Sequence, residues 1–110
     1  MEVRIDDQGV SSWNGQGLIA LLCEGQSIAD AVLKEACPWI GETPGLEDFK
    51  GKSGEIAVYY GQGRIQRLIC SGLGKLENLA LPEIREAVGQ AVKKCRSLGL
   101  NSVILPAEIL

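Results

Sequence analysis

The residues of this chain that could do chemistry are few, because it contains no histidine. Without an imidazole there is no general base of the usual kind, and no Ser-His or Cys-His dyad can form. Metal ligation would fall to carboxylates and thiols alone. The densest acidic pairs are Asp6-Asp7 and Glu47-Asp48, both in loop-like sequence. Adjacent carboxylates point in different directions, and no third ligand is grouped with either pair, so both read as solvated. The sequence thus supplies no catalytic residue and no metal-ligating set.

Phosphate chemistry is the remaining temptation, since four glycine patterns suggest it. Gly45-Leu-Glu-Asp-Phe-Lys-Gly51-Lys52-Ser53 has one residue too many between its glycines for a P-loop, and it places Glu47 and Asp48 where phosphates would sit. Gly15-Gln-Gly17-Leu-Ile-Ala20 matches a dinucleotide fingerprint in letters, but it enters a strand instead of leaving one. Gly61-Gln-Gly63 is accounted for by a hairpin turn. Gly72-Leu-Gly74-Lys75 follows a strand and precedes a helix, the right context for an anion at a helix N-terminus. Against it, Glu77 stands at the third glycine's place and Pro82 starts the helix too far downstream. Gly72, Gly74 and Lys75 are therefore the candidate anion loop, and a tight turn is the plain alternative.

The four cysteines, Cys23, Cys37, Cys70 and Cys95, contain no Cys-x-x-Cys pair. Cys23 and Cys70 fall in apolar strand-like runs and Cys95 on an apolar helix face, as small buried thiols do. Reduced thiols imply a cytoplasmic location. The formal net charge of −3 repels a phosphate backbone, so nucleic acid is not an expected partner. The longest apolar run, Leu18 to Cys23, is far short of the roughly 20 residues that cross a bilayer. No basic stretch leads into an apolar one at the N-terminus, so neither membrane nor secretion is expected.

The elements that must position these residues follow from periodicity. Val3-Arg-Ile5 reads as a short strand, and 6–17 as a loop rich in Gly, Ser, Asn and Asp. Leu18 to Cys23 is continuously apolar, as in a strand covered on both faces. Ser27, with Asp30 three residues on, caps a helix that Pro38 ends. Trp39 to Gly54 is a long connection with a helical turn near Leu46 to Phe49. Glu55 to Tyr60 and Ile65 to Ser71 form a hairpin. Pro82, acidic Glu83 and Glu86, basic Lys93, Lys94 and Arg96, and Gly99 delimit a second helix. Its apolar stripe runs through Ile84, Ala87, Val88, Ala91, Val92, Cys95 and Leu98. Ser102 to Leu105 is a last strand. The order β-β-α-β-β-α-β predicts an α/β fold with a mixed sheet flanked by helices. Trp13 and Trp39 either cover an end of the core or mark an interface.

Three stretches in order resemble a known family. They are Glu47-Asp48-Phe49-Lys50-Gly51-Lys52, then Arg67-Leu68-Ile69-Cys70-Ser71-Gly72-Leu73-Gly74-Lys75, then Leu81 to Leu98 leading to Ser102-Val103. Together they are similar to the N-terminal domain of cytosolic leucyl aminopeptidases, with Ser71 where that family often has Val. The resemblance implies a macrodomain-like three-layer sandwich with a mostly parallel sheet. It implies that residues 1–110 form a single accessory domain, with Phe49 and the glycines carried over as fold positions only. Family members are two-metal enzymes that release N-terminal residues from peptides and assemble as hexamers. Their metal ligands and catalytic Lys and Arg lie in a C-terminal domain whose Asn-Thr-Asp-Ala/Glu-Gly-Arg-Leu signature these residues lack. Pro106-Ala-Glu-Ile-Leu110 is accordingly expected to lead into a linker. The expected partners are a catalytic domain of the same polypeptide and further copies in a homo-oligomer. The expected cofactors are two divalent ions, zinc or manganese, held by that domain and none by this chain. The expected role is assembly, substrate access or regulation. The alternative is a macrodomain-like module holding a nucleotide or other anion near Gly72 to Lys75, and a third reading is a protein- or nucleic-acid-interaction module.

Overall fold

A computed structural model describes residues 1–7, 13, 15–28 and 31–106 of the chain. Its frame is a five-stranded sheet built from β1 (Glu2–Asp6), β2 (Gly15–Cys23), β3 (Ile56–Tyr60), β4 (Ile65–Gly74) and β5 (Ser102–Pro106), in the spatial order β1-β5-β2-β4-β3. Every neighbouring pair is parallel except β3–β4, which is the antiparallel hairpin that the sequence predicts.

Strand alternation divides the apolar residues between two cores. Leu18, Ala20 and Leu22 of β2, Leu68 and Cys70 of β4 and Ile104 of β5 pack into one, with Trp13, Ile28, Leu33, Ile40 and Phe49. Ile19, Leu21 and Cys23 of β2, Ile69 and Leu73 of β4, and Val103 and Leu105 of β5 pack into the other, against Ala87, Ala91 and Cys95. The unbroken apolar run of β2 follows from this position, since both of its faces are covered.

The first core lies under the short helix α1 (Ala31–Ala36) and a 3-10 turn at Pro38–Glu42. Six residues are too few to be helical alone, so tertiary contacts of Leu33 and Ala36 must hold α1 in place. The helix stops before Pro38 as expected, whereas the 3-10 turn that begins at Pro38 lies inside what the sequence reads as a plain connection. The proposed cap Ser27–Asp30 depends on a residue outside those described. The helical turn expected near Leu46 to Phe49 is a 3-10 turn at Leu46–Asp48.

The second core lies under α2 (Leu81–Ser97), which has Pro82 in its first turn. The helix closes on Gly99, at φ +74°, while the Leu100 N–H reaches back to the Cys95 carbonyl at 3.1 Å. Ser71 gives α2 a polar anchor. Fully buried on β4, its hydroxyl donates to the Ala87 carbonyl at 2.9 Å. The layers are thus helix, mixed and mostly parallel sheet, helix, the expected sandwich.

Candidate functional site

The candidate anion residues sit at the C-terminal end of β4. Gly72 and Gly74 are not a turn after the strand, as the sequence suggests, because β4 runs on through Gly74. They lie opposite Leu22 and Cys23 of β2, across an irregularity in the register. Their amides are engaged: Gly72 donates to the Glu55 carbonyl at 2.8 Å and Gly74 to the Gly51 carbonyl at 2.9 Å. The Gly74 carbonyl accepts from Glu24 N–H at 2.9 Å. Lys75 is exposed and extended, and its carbonyl accepts from Asn78 N–H in the 3-10 turn Leu76–Asn78.

The segment lying against this end is residues 50–55. A Cβ on Gly72 would stand 1.9 Å from the Lys52 carbonyl oxygen, so only glycine lets the segment approach β4. Gly51 has φ +81°, and a Cβ there would stand 2.5 Å from the Cys23 carbonyl oxygen. One carboxylate closes the loop on itself. Glu55 accepts from Lys50 N–H at 3.1 and 3.2 Å and from Lys52 N–H at 3.0 Å, and its own N–H donates to the Lys52 carbonyl at 3.0 Å. Converging amides of this kind attract anions, and here the anion is the chain's own. Lys50 Nζ donates to the Glu47 carbonyl at 2.7 Å, and Phe49 anchors the segment in the first core. Glu47 and Asp48 are exposed, as expected, whereas Asp6 is not solvated in a loop but buried at the end of β1 beside Arg4. The Asp-Phe-Lys-Gly-Lys stretch and the glycines of β4 are therefore two halves of one latch. Sequence reasoning treats them as separate motifs and misses Glu55. The signal for it was a carboxylate just beyond a glycine-bounded loop.

The two tryptophans have different roles. Trp13 is 1% exposed and belongs to the core. Trp39 is half-buried against that core, donates from Nε1 to the Ile65 carbonyl at 3.0 Å, and presses on the hairpin end. A Cβ on Gly61 would stand 1.9 Å from the Trp39 ring, so this glycine is required by packing and not by the turn alone.

A two-metal centre does not fit these residues. The chain lacks histidine, and among the described residues no three Cys, Asp or Glu side chains converge. All four thiols are buried and free. Burial pushes Cys37 and Cys95 up to about 11 and Cys70 up to about 12, with Cys37 adding to the shift at Cys70. Burial also raises Cys23. Such thiols stay protonated, which suits packing and not ligation. Among the described residues no helix is long and apolar enough to cross a membrane.

The profile of the family described as "Cytosol aminopeptidase family, N-terminal domain" matches residues 24–108. The chain is 34% identical over 114 residues to a protein named "Probable cytosol aminopeptidase" from Desulfovibrio desulfuricans, covering 100% of this chain and 23% of that protein. A protein of the same name from Oleidesulfovibrio alaskensis is 32% identical over 115 residues, covering 100% and 22%. The chain thus spans about a quarter of the length of these relatives. Among solved structures, a mutant tomato leucine aminopeptidase superposes with a TM-score of 0.71 at 18% identity, over 96% of this chain and 22% of that one. The macrodomain of Mycobacterium tuberculosis DarG superposes with a TM-score of 0.62 at 15% identity, over 94% and 74%. At these identities the two structures speak to the fold, which is macrodomain-like.

Proposed function

Because the chain belongs to the cytosol aminopeptidase family, through that family's N-terminal domain, we propose that it is the non-catalytic accessory domain of a longer aminopeptidase. The observation that carries this reading is the match over residues 24–108 to the N-terminal part of the family. In this account the remaining three quarters of the polypeptide supply the metal ligands and two divalent ions, zinc or manganese. The whole protein then releases N-terminal residues from peptides in the cytosol, as a hexamer. This domain supports its assembly, substrate access or regulation.

The latch between residues 50–55 and β4 favours the accessory role. It engages the amides of Gly72 and Gly74 in holding a loop against the sheet. For the same reason the alternative, a nucleotide or other anion held near Gly72 to Lys75, is the weaker reading: the amides of Gly72 and Gly74 are already engaged. The test is to incubate the isolated chain with leucine amide and manganese or zinc and to follow free leucine. No release above the metal-only control is expected, and robust hydrolysis would overturn the proposal.

A further inference from the structure

The two edges of the sheet are built differently. At one edge, β1 carries Glu2, Arg4 and Asp6, with the Arg4 guanidinium 3.8 Å from the Asp6 carboxylate. Charges of this kind discourage another strand from pairing. At the other edge, β3 reads Ile-Ala-Val-Tyr-Tyr and has no charge, proline or bulge.

The bonding pattern of the hairpin fixes which β3 groups face outward. Gly72 N–H donates to the Glu55 carbonyl and Gly61 N–H to the Gln66 carbonyl. In an antiparallel ladder the bonded pairs alternate, so Ala57 and Tyr59 turn their peptide groups toward β4. The N–H and C=O of Ile56, Val58 and Tyr60 then point away from the sheet, and they have no hydrogen-bond partner among the described residues.

The side chains of Ile56, Val58 and Tyr60 share the face of the sheet that α2 covers, since they lie opposite Ser71, Ile69 and Arg67. At the Ile56 end this face opens into a groove of about 400 Å³ lined by Ile56, Gln90, Lys93, Lys94 and Ser97. At the Tyr60 end the Arg67 guanidinium stacks over the Tyr60 ring, 4.6 Å from its centroid. Cations therefore flank both ends of the open edge. Of the carboxylates near this edge, Glu55 is turned into its own loop, Glu86 accepts from Gln90 Nε2 at 3.5 Å, and Glu47 and Asp48 lie toward Tyr59, on the face of the sheet opposite these cations.

We infer that β3 is a docking edge for an extended acidic segment of a partner polypeptide. The segment adds as a sixth strand, pairing its main chain with Ile56, Val58 and Tyr60 and setting carboxylates opposite Lys93–Lys94 and Arg67. Main-chain bonds supply affinity in this mode, and alternate side chains supply selectivity. A second copy of β3 is a poorer occupant, because its five residues bring no carboxylate to these cations.

The probe is the capped peptide acetyl-Glu-Thr-Val-Thr-Glu-amide, whose carboxylates fall four residues apart on one face in either strand direction. Titrated into the 15N-labelled chain, it is expected to shift the amides of Ile56, Val58 and Tyr60 saturably at millimolar concentration. Replacing both Glu by Gln in the probe should weaken binding about threefold to tenfold, as should Lys93→Ala with Lys94→Ala, at exposed positions that leave the fold intact. N-methylation of the central Val removes the N–H that faces Val58 in an antiparallel pair, and N-methylation of both Thr removes those that face β3 in a parallel pair, so one of these two probes should fail to bind. Absence of saturable shifts at β3, equal affinity for the Gln probe, or full binding by both N-methyl probes would each overturn the inference. Concentration-dependent shifts at β3 without peptide would overturn it in favour of self-pairing.

Discussion

Gly72→Ala tests the latch most sharply. The new Cβ would start 1.9 Å from the Lys52 carbonyl oxygen and 2.8 Å from the carbonyl carbons of Gly51 and Lys52. Reaching an ordinary 3.4 Å contact requires a separation of about 1.5 Å between backbone segments, which no side-chain rotation can supply. A retreat of that size carries the Gly72–Glu55 and Gly74–Gly51 bonds, now 2.8 and 2.9 Å, out of hydrogen-bonding range. Each bond contributes about 1 kcal/mol net, and a buried amide left without a partner costs a further 1–3 kcal/mol or so. The expected loss is therefore about 3 kcal/mol. With a urea slope of about 1.5 kcal/mol/M for a small domain, the unfolding midpoint falls by roughly 2 M. Gly89→Ala is the matched control. Its Cβ meets nothing on the exposed side of α2, so it should stabilise the chain by about 0.5–1 kcal/mol. A Gly72→Ala variant within about 0.5 kcal/mol of the parent, the range of an ordinary surface change, would refute the reasoning and return Gly72 to the role of a simple loop glycine.

Other substitutions probe the remaining contacts. Ser71→Ala removes the hydroxyl that meets the Ala87 carbonyl and should cost about 1 kcal/mol in urea unfolding, since that carbonyl keeps its place in the helix ladder. Glu55→Ala takes the acceptor from the Lys50 and Lys52 amides; about 1 kcal/mol should be lost, with amide exchange accelerated at residues 50–55. High pH should destabilise the fold. The folded thiols of Cys37, Cys70 and Cys95 lie at about 11, 12 and 11 against an ordinary 9.0, so their protonated packing is fully present below pH 9 and is lost as pH rises through 11 to 12. Tm should accordingly fall above pH 9, and Cys70→Ala should flatten that fall.

Much of the fold was legible because apolar spacing reports burial directly. The run Leu18–Cys23 marks a strand covered on both faces, and Pro82, the stripe through Ala87, Ala91 and Cys95, and Gly99 bound α2 nearly to the residue. What the sequence hid depends on contacts between distant segments. Gly72 and Gly74 look like loop residues because glycine usually is one, yet they belong to a strand that another backbone approaches closely. Gly61 likewise answers to Trp39, more than twenty residues away. Ser71 appears as a small departure from an apolar position, and only the placement of α2 shows its bond. Sheet order is of the same kind: nothing local says that β1 pairs with β5 across nearly the whole chain.

The central claim is that these residues build a support and not a catalytic centre. It is tested most directly by dialysing the purified chain against zinc or manganese, then measuring bound metal and leucine-amide hydrolysis on the same sample. The account predicts substoichiometric metal and no turnover above buffer containing the ion. A tightly held ion in whole-number ratio to the chain, accompanied by turnover, would contradict it.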